Sequence, residues 1–279
     1  MTTPPPLTDL PALSCHRARA CCLTGHDDAM FLHRAAIADI QERLVEVNRT
    51  FTASAVVTGF PRTWEGTFPD ATLVQDTEAL DLHPGSHDLV IHAMGLHWAN
   101  DPLGQLVQCR HALRPDGLFI AVLPGGRTLH ELRSSMAEAE TLVTGGLSPR
   151  VVPMGEIRDL GALMQRAGFA LPVADSFTQT VHYSSFANLC ADLRAMGETN
   201  ALAARLRRFT GRGVLAAAEA IYRANFSTPD DRLRATFDLV FLTGWAPHDS
   251  QQQPLRPGSA RARLADALGV PEEPLPKGS

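Results

Sequence analysis

No stretch of this sequence stays apolar for the ~18 residues that a membrane-spanning helix needs. Its first residues, Met1-Thr2-Thr3-Pro4-Pro5-Pro6, carry no positive region leading into an apolar one. The expectation is a cytoplasmic chain with neither export signal nor transmembrane segment. A basic excess is missing too. The formal net charge is −5, which argues against nucleic acid as a partner, because broad binding to phosphates needs a basic surface. Cysteine is scarce: Cys15, Cys21, Cys22, Cys109 and Cys190 are odd in number and two are adjacent. They read as reduced thiols rather than a disulfide framework. No C-x-x-C pair occurs, so the run Cys15, His16, Cys21, Cys22, His26 and His33 lacks zinc spacing despite its ligand-type side chains. No metal is expected. P-loop, H-E-x-x-H and Ser-His-Asp patterns are also missing.

What remains is an ordinary folding composition, 44% hydrophobic and 20% charged. Residues 1–26 carry prolines and little periodicity, which predicts a mobile N-terminal arm. Asp27-Asp28 can cap a helix whose apolar stripe is Ile37, Ile40, Leu44 and Val47. A short apolar run at 55–57 ends at Thr58-Gly59-Phe60-Pro61 and reads as a buried strand stopped by a glycine turn. Further strands are predicted at 71–74, 88–93 and 118–123. Asn100-Asp101-Pro102 opens the helix between the last two with an N-cap and a first-position proline.

Thr128 and Glu131 form a capping-box pattern for a helix that Gly145-Gly146 stops. Another helix runs over 157–167, with Gly168 as its stop. Strands at 173–183 and 235–245 flank helices at 186–196 and 214–226. The tail 248–279 is polar and proline-rich, with a short helix expected at 260–268. Apolar strands without alternation, separated by helices, indicate an α/β fold with a parallel sheet covered on both faces. The main domain is then 27–247, with a helical insertion at about 185–226 between the last two strands. That insertion is expected to cap the carboxyl edge of the sheet.

Two stretches carry a resemblance. His87-Asp-Leu-Val-Ile-His-Ala-Met-Gly-Leu-His-Trp-Ala-Asn-Asp-Pro102 and Ala112-Leu-Arg-Pro-Asp-Gly-Leu-Phe-Ile120 closely resemble the fourth and fifth strands of class I S-adenosylmethionine-dependent methyltransferases. Leu73-Val-Gln-Asp-Thr-Glu-Ala-Leu80 looks like the acidic segment that precedes them. Gly125-Gly-Arg-Thr-Leu-His-Glu-Leu-Arg133, Gly145-Gly-Leu-Ser-Pro149, Asp159-Leu-Gly161, Met196-Gly-Glu-Thr-Asn200 and Gly244-Trp245 narrow the likeness. They are similar to bacterial homologues of a mitochondrial complex I assembly methyltransferase-like protein, a branch related to the malonyl-carrier-protein methyltransferases of biotin synthesis. The resemblance implies a class I, Rossmann-like fold with S-adenosyl-L-methionine as cofactor. It implies a cofactor site bounded by Thr58, Gly59, Phe60, Asp76, Thr77, Ala93, Met94 and His97. The acceptor would be a small acid, a carrier-bound acid or a protein side chain.

The N-terminal half departs from that pattern. The family's turn after the first strand is Gly-x-Gly-x-Gly, which lets bare backbone approach the cofactor. Here Val57-Thr-Gly-Phe-Pro-Arg-Thr-Trp64 has one glycine, a phenylalanine and a proline. From Gly59 to Asp88 there is room for about one βαβ unit of about 30 residues. Asp76 can therefore serve the second or the third strand, not both. Two readings follow: relocated contacts still hold the cofactor, or the fold persists as an assembly or scaffold protein with a protein partner, a respiratory-complex subunit being the first to test. His92 reads as a core histidine. Arg205, Arg207, Arg208 and Arg212 read as a solvated helix face or as a contact for an anionic partner.

Overall fold

Every residue of β1 (Ser54–Thr58) is buried, and its side chains alternate between two cores as the strand period requires. Val56 joins one face, Ala55 and Val57 the other. β2 (Thr72–Val74) and β3 (His87–Ala93) pair parallel on either side of β1. β4 (Leu113–Gly125) continues the parallel run beside β3. β6 (Leu233–Trp245) is antiparallel to both β4 and β5 (Ala170–Tyr183), giving a six-stranded sheet in the order β2-β1-β3-β4-β6-β5. The computed structural model describes residues 5–252.

Helices α3 (Phe31–Val47), α6 (His130–Thr144), α8 (Phe186–Ala195) and α9 (Arg212–Phe226) supply the core on one face. Helices α5 (Pro102–Ala112) and α7 (Ile157–Arg166) cover the other. The Asn-Asp-Pro signal acts as expected: Asp101 accepts from the Gly104 N–H at 2.8 Å, with Pro102 in the first turn. Gly145 and Gly168 take positive φ at the ends of α6 and α7. Between β1 and β2 there is only a single-turn α4 (Pro61–Trp64), and no helix separates β2 from β3. The shortened N-terminal half is thus one strand beyond β1. Of the insertion, the end of α8 and the loop after it reach the carboxyl edge, whereas α9 lies along α6.

Three expectations need correction. The arm at 1–26 holds a helix: α1 (Leu10–Ala20) starts at Asp9, whose carboxylate accepts from the Ala12 N–H. Its start is tied to the insertion loop by Asp9 N–H to Ala201 O at 2.8 Å and by a bridge between Thr8 and Leu202. A buried apolar residue, Leu13, overrides the weak local periodicity. Second, Asp27 and Asp28 belong to a separate turn, α2 (His26–Ala29). Third, the capping box does not form. Thr128 Oγ1 accepts from the Asp238 N–H at 2.9 Å, and Glu131 accepts from the Thr236 N–H and hydroxyl. Donors on the adjacent β6 outcompete the local ones.

The chain divides into two units, 1–247 and 248–279. In the second, His248 N–H donates to the Gln251 side chain; the helix expected at 260–268 lies outside the described residues. Among the described residues, no helix is long and apolar enough to cross a membrane.

Candidate functional site at the carboxyl edge

β2 and β3 leave β1 on opposite sides, so the crevice at their carboxyl ends is the switch point where open α/β sheets bind ligands. The structure brings Gly59, Asp76 and Thr77 together there with α1 lying across them, while Thr58 is buried at the end of β1. Arg17, from α1, donates through Nη1 to both Asp76 carboxylate oxygens at 2.8 Å. The pair is sheltered, with side chains 10% and 8% exposed. Its packing requires two glycines. A Cβ on Gly59 would fall 2.2 Å from Arg17 Nη1, and one on Gly95 would fall 2.3 Å from Asp76 Oδ2.

Because β2 pairs directly with β1, Asp76 stands at the carboxyl end of the neighbouring strand. That is the acidic position that meets a nucleoside ribose in such sheets. The ambiguity over its strand is resolved, and each of its oxygens accepts from Arg17 Nη1, which stands where a ligand would approach. The glycine turn offers nothing in exchange. Phe60 N–H donates to Thr58 Oγ1 at 3.1 Å, and Pro61 has no N–H to give. The Phe60 ring is buried, 5.5 Å from the Arg17 guanidinium carbon. The residues present therefore do not fit S-adenosylmethionine as they are arranged.

The remaining candidates separate from these. Ala93 is core. Met94, with φ of 55° at the end of β3, and His97 line a second cavity of about 70 Å3. His33, Trp98, Glu198 and Phe237 complete its wall, with Arg150 at one side. Trp98 Nε1 donates to Glu198 Oε2 at 2.8 Å, and His97 Nε2 approaches the same oxygen at 3.2 Å. Burial alone would raise the Glu198 carboxyl, but attraction to His97 and Arg17 and these hydrogen bonds outweigh it and hold the carboxyl below its usual range. Glu198 is an anion. His33 is a neutral imidazole: burial pushes it down to about 4, and its Nδ1 accepts from Trp64 Nε1 at 3.0 Å. Arg150 is fully engaged, by Glu140 at 2.8 Å and by Thr210 at 2.7 Å.

Other singled-out residues have structural partners. His16 meets the Thr199 carbonyl and His26 the Ala195 carbonyl. Among the described residues, no group of three or more His, Cys, Asp or Glu side chains is placed to hold a metal. Arg205 and Arg207 close on Asp9 at 2.9 and 3.1 Å from a loop, not from a helix face. His92 Nε2 bonds Gln105 within the core, while its Nδ1 has no hydrogen-bond partner among the described residues. Sequence reasoning missed Arg17 and the role of His33. The signal for α1 was present as Asp9 followed by Pro11, a helix start.

A parallel sheet finished by an antiparallel pair, with its crevice between β1 and β3, defines a class I methyltransferase fold. A family model for a methyltransferase domain matches residues 22–121. The chain is 34% identical over 232 residues to human "Arginine-hydroxylase NDUFAF5, mitochondrial", covering 83% of this chain and 67% of that protein. The Danio rerio protein of the same name is 37% identical over 198 residues, covering 71% of this chain and 61% of its own length. A malonyl-[acyl-carrier protein] O-methyltransferase from Xylella fastidiosa (strain M23) is 32% identical over 179 residues, covering 64% and 58%. The chain belongs to the NDUFAF5 family, within the class I S-adenosylmethionine-dependent methyltransferases. Its match spans about three fifths of the zebrafish relative, 61% of its length.

Proposed function

We propose that this protein takes an arginine side chain of a protein partner into the cavity beside β3, with Glu198 as counter-charge. The carrying observation is the Glu198 carboxylate, ionised and held by Trp98 and His97 in a wall that is otherwise largely apolar. About 70 Å3 suits the tip of a side chain, since each water needs roughly 10–15 Å3 on this scale. A planar guanidinium can donate to a carboxylate while stacking on aromatic rings, and His97 and Trp98 provide such rings. The name carried by the human relative, arginine hydroxylase, supports the same ligand class. By the family resemblance, a respiratory-complex subunit is the first partner to test.

A second reading is methyl transfer to a carrier-bound acid, the substrate class in the Xylella relative's name. Arg150 at the cavity wall favours it, but Arg150 would first have to leave Glu140. The two readings separate by charge. Fluorescence anisotropy with a labelled peptide bearing one central arginine should detect binding that Glu198→Gln weakens by 10-fold or more, the scale of a lost charged hydrogen bond. Equal binding of the glutamine-substituted peptide, or an unchanged constant in the variant, would sink the arginine reading. Binding of malonate lost on Arg150→Gln would support the second.

A further inference from the structure

Three close approaches meet at the crevice between β1 and β3. The Arg17 guanidinium lies on the backbone of Gly59, the Asp76 carboxylate lies on Gly95, and the Phe60 ring fills the space beneath Gly197, where a Cβ would fall 2.6 Å from its Cζ. Gly59, Asp76 and Gly95 are the surfaces that a nucleoside cofactor would need, bare backbone after the first strand, an acidic acceptor after the second and an open turn after the third, whereas Gly197 follows α8. Each is occupied by a side chain of the chain itself.

We infer that the Arg17–Asp76 pair stands permanently in place of the cofactor, so that α1 is docked from within and the carboxyl edge is organised without S-adenosylmethionine. The pair closes the edge as a ligand would. It joins the N-terminal helix to the end of β2, and the same helix holds the insertion loop through Asp9 and Ala201. Arg17 Nη1 uses one acceptor site on each Asp76 oxygen, and among the described residues Arg17 Nε and Nη2 are buried without a hydrogen-bond partner, so what a ribose would have to displace is the guanidinium lying on Gly59. The glycine turn cannot compensate: Phe60 N–H is engaged by Thr58 and Pro61 lacks a donor. The inference stands beside the arginine reading; methyl transfer to a carrier-bound acid would need a bound methyl donor and would overturn it.

Isothermal titration of the full chain with S-adenosylmethionine is expected to give a dissociation constant above ~100 μM; a tighter constant overturns the inference. Hydrogen exchange supplies the second arm. Without any ligand, amides of α1 should already be protected. Arg17→Gln and Asp76→Asn should each speed their exchange 10-fold or more while leaving β3 and β4 unchanged. The reversed pair, Arg17→Asp with Asp76→Arg, should recover part of that protection. Exchange of α1 that ignores Arg17→Gln would show that the pair does not dock α1 and would overturn the inference; tight S-adenosylmethionine binding gained only by that variant would show Arg17 in the cofactor's place. If the neutral variants fail to fold, Arg17→Lys keeps one charged donor, as Nη1 alone supplies now, and its α1 should retain most of its protection; loss of that protection counts against the pair. The titration of the unaltered chain needs no variant at all.

Discussion

Trp98 and Glu198 are a hundred residues apart, yet the indole N–H of one donates to the carboxylate of the other at 2.8 Å. This bond ties the turn after β3 to the loop after α8, so the insertion is held over the carboxyl edge by a charge-assisted contact. Trp98→Phe keeps one aromatic ring but removes the N–H donor together with part of the buried indole surface. It should cost about 1.5–3 kcal/mol, the range for hydrogen bonds to charged groups. Urea denaturation followed by fluorescence reads this directly, and an unchanged midpoint would mean that the bond contributes nothing.

Glu131 is fully buried and accepts from both the Thr236 N–H and its hydroxyl. Glu131→Ala leaves two donors of β6 without an acceptor and should destabilise the fold by about 2–4 kcal/mol. Glu131→Gln retains one acceptor and should lose clearly less. Equal losses in the two variants would contradict the hydrogen-bonding account and point to packing.

His33 predicts a pH dependence with a definite sign. Burial lowers it from 6.5 to about 4 in the folded state, so the unfolded chain takes up the proton first as pH falls. The contribution to stability is complete above pH 6.5 and declines as pH drops towards 4, by about 3 kcal/mol in all. Burial lowers His92 as well, which acts in the same direction. His33→Gln should flatten the stability profile between pH 6.5 and 4. A variant with the wild-type slope would show that His33 does not control it.

Thiol reactivity should divide the five cysteines. Cys15, Cys21 and Cys22 are exposed, Cys109 is buried and Cys190 is half-buried. Burial pushes the Cys109 and Cys190 thiols up, away from the reactive thiolate. Native titration with an aromatic disulfide reagent should show three fast thiols, and the other two only on unfolding. Fast reaction of Cys109 would mean that α5 opens readily.

Much of the fold is legible in the chain because it depends on local pattern. The apolar runs at 55–57, 88–93 and 118–123 lie inside β1, β3 and β4. Asp101-Pro102 starts α5, and Gly145 ends α6, through contacts made within a few residues. Thr128-Glu131 fails for the converse reason. Its groups face donors on β6, about a hundred residues away in the chain, and those bonds are buried. Likewise Asp9-Leu10-Pro11 marks a helix start, but nothing nearby in sequence shows what α1 would rest upon.

The sequence alone carried the methyltransferase likeness and the succession of strands along the chain, and it showed that Gly59-Phe60-Pro61 departs from the family's glycine turn. It also placed Asp76, Met94 and His97 at one edge, since residues following parallel strands share the carboxyl end. It left open which strand Asp76 serves, because β-pairing partners are chosen by the whole sheet. Tertiary structure made the further decisions. Arg17 reaches Asp76 from 59 positions away, and Glu198 meets His97 and Trp98 from the far side of the insertion. An ion pair between distant segments leaves no periodic trace in sequence; it exists only once the backbone has brought both charges out of water together.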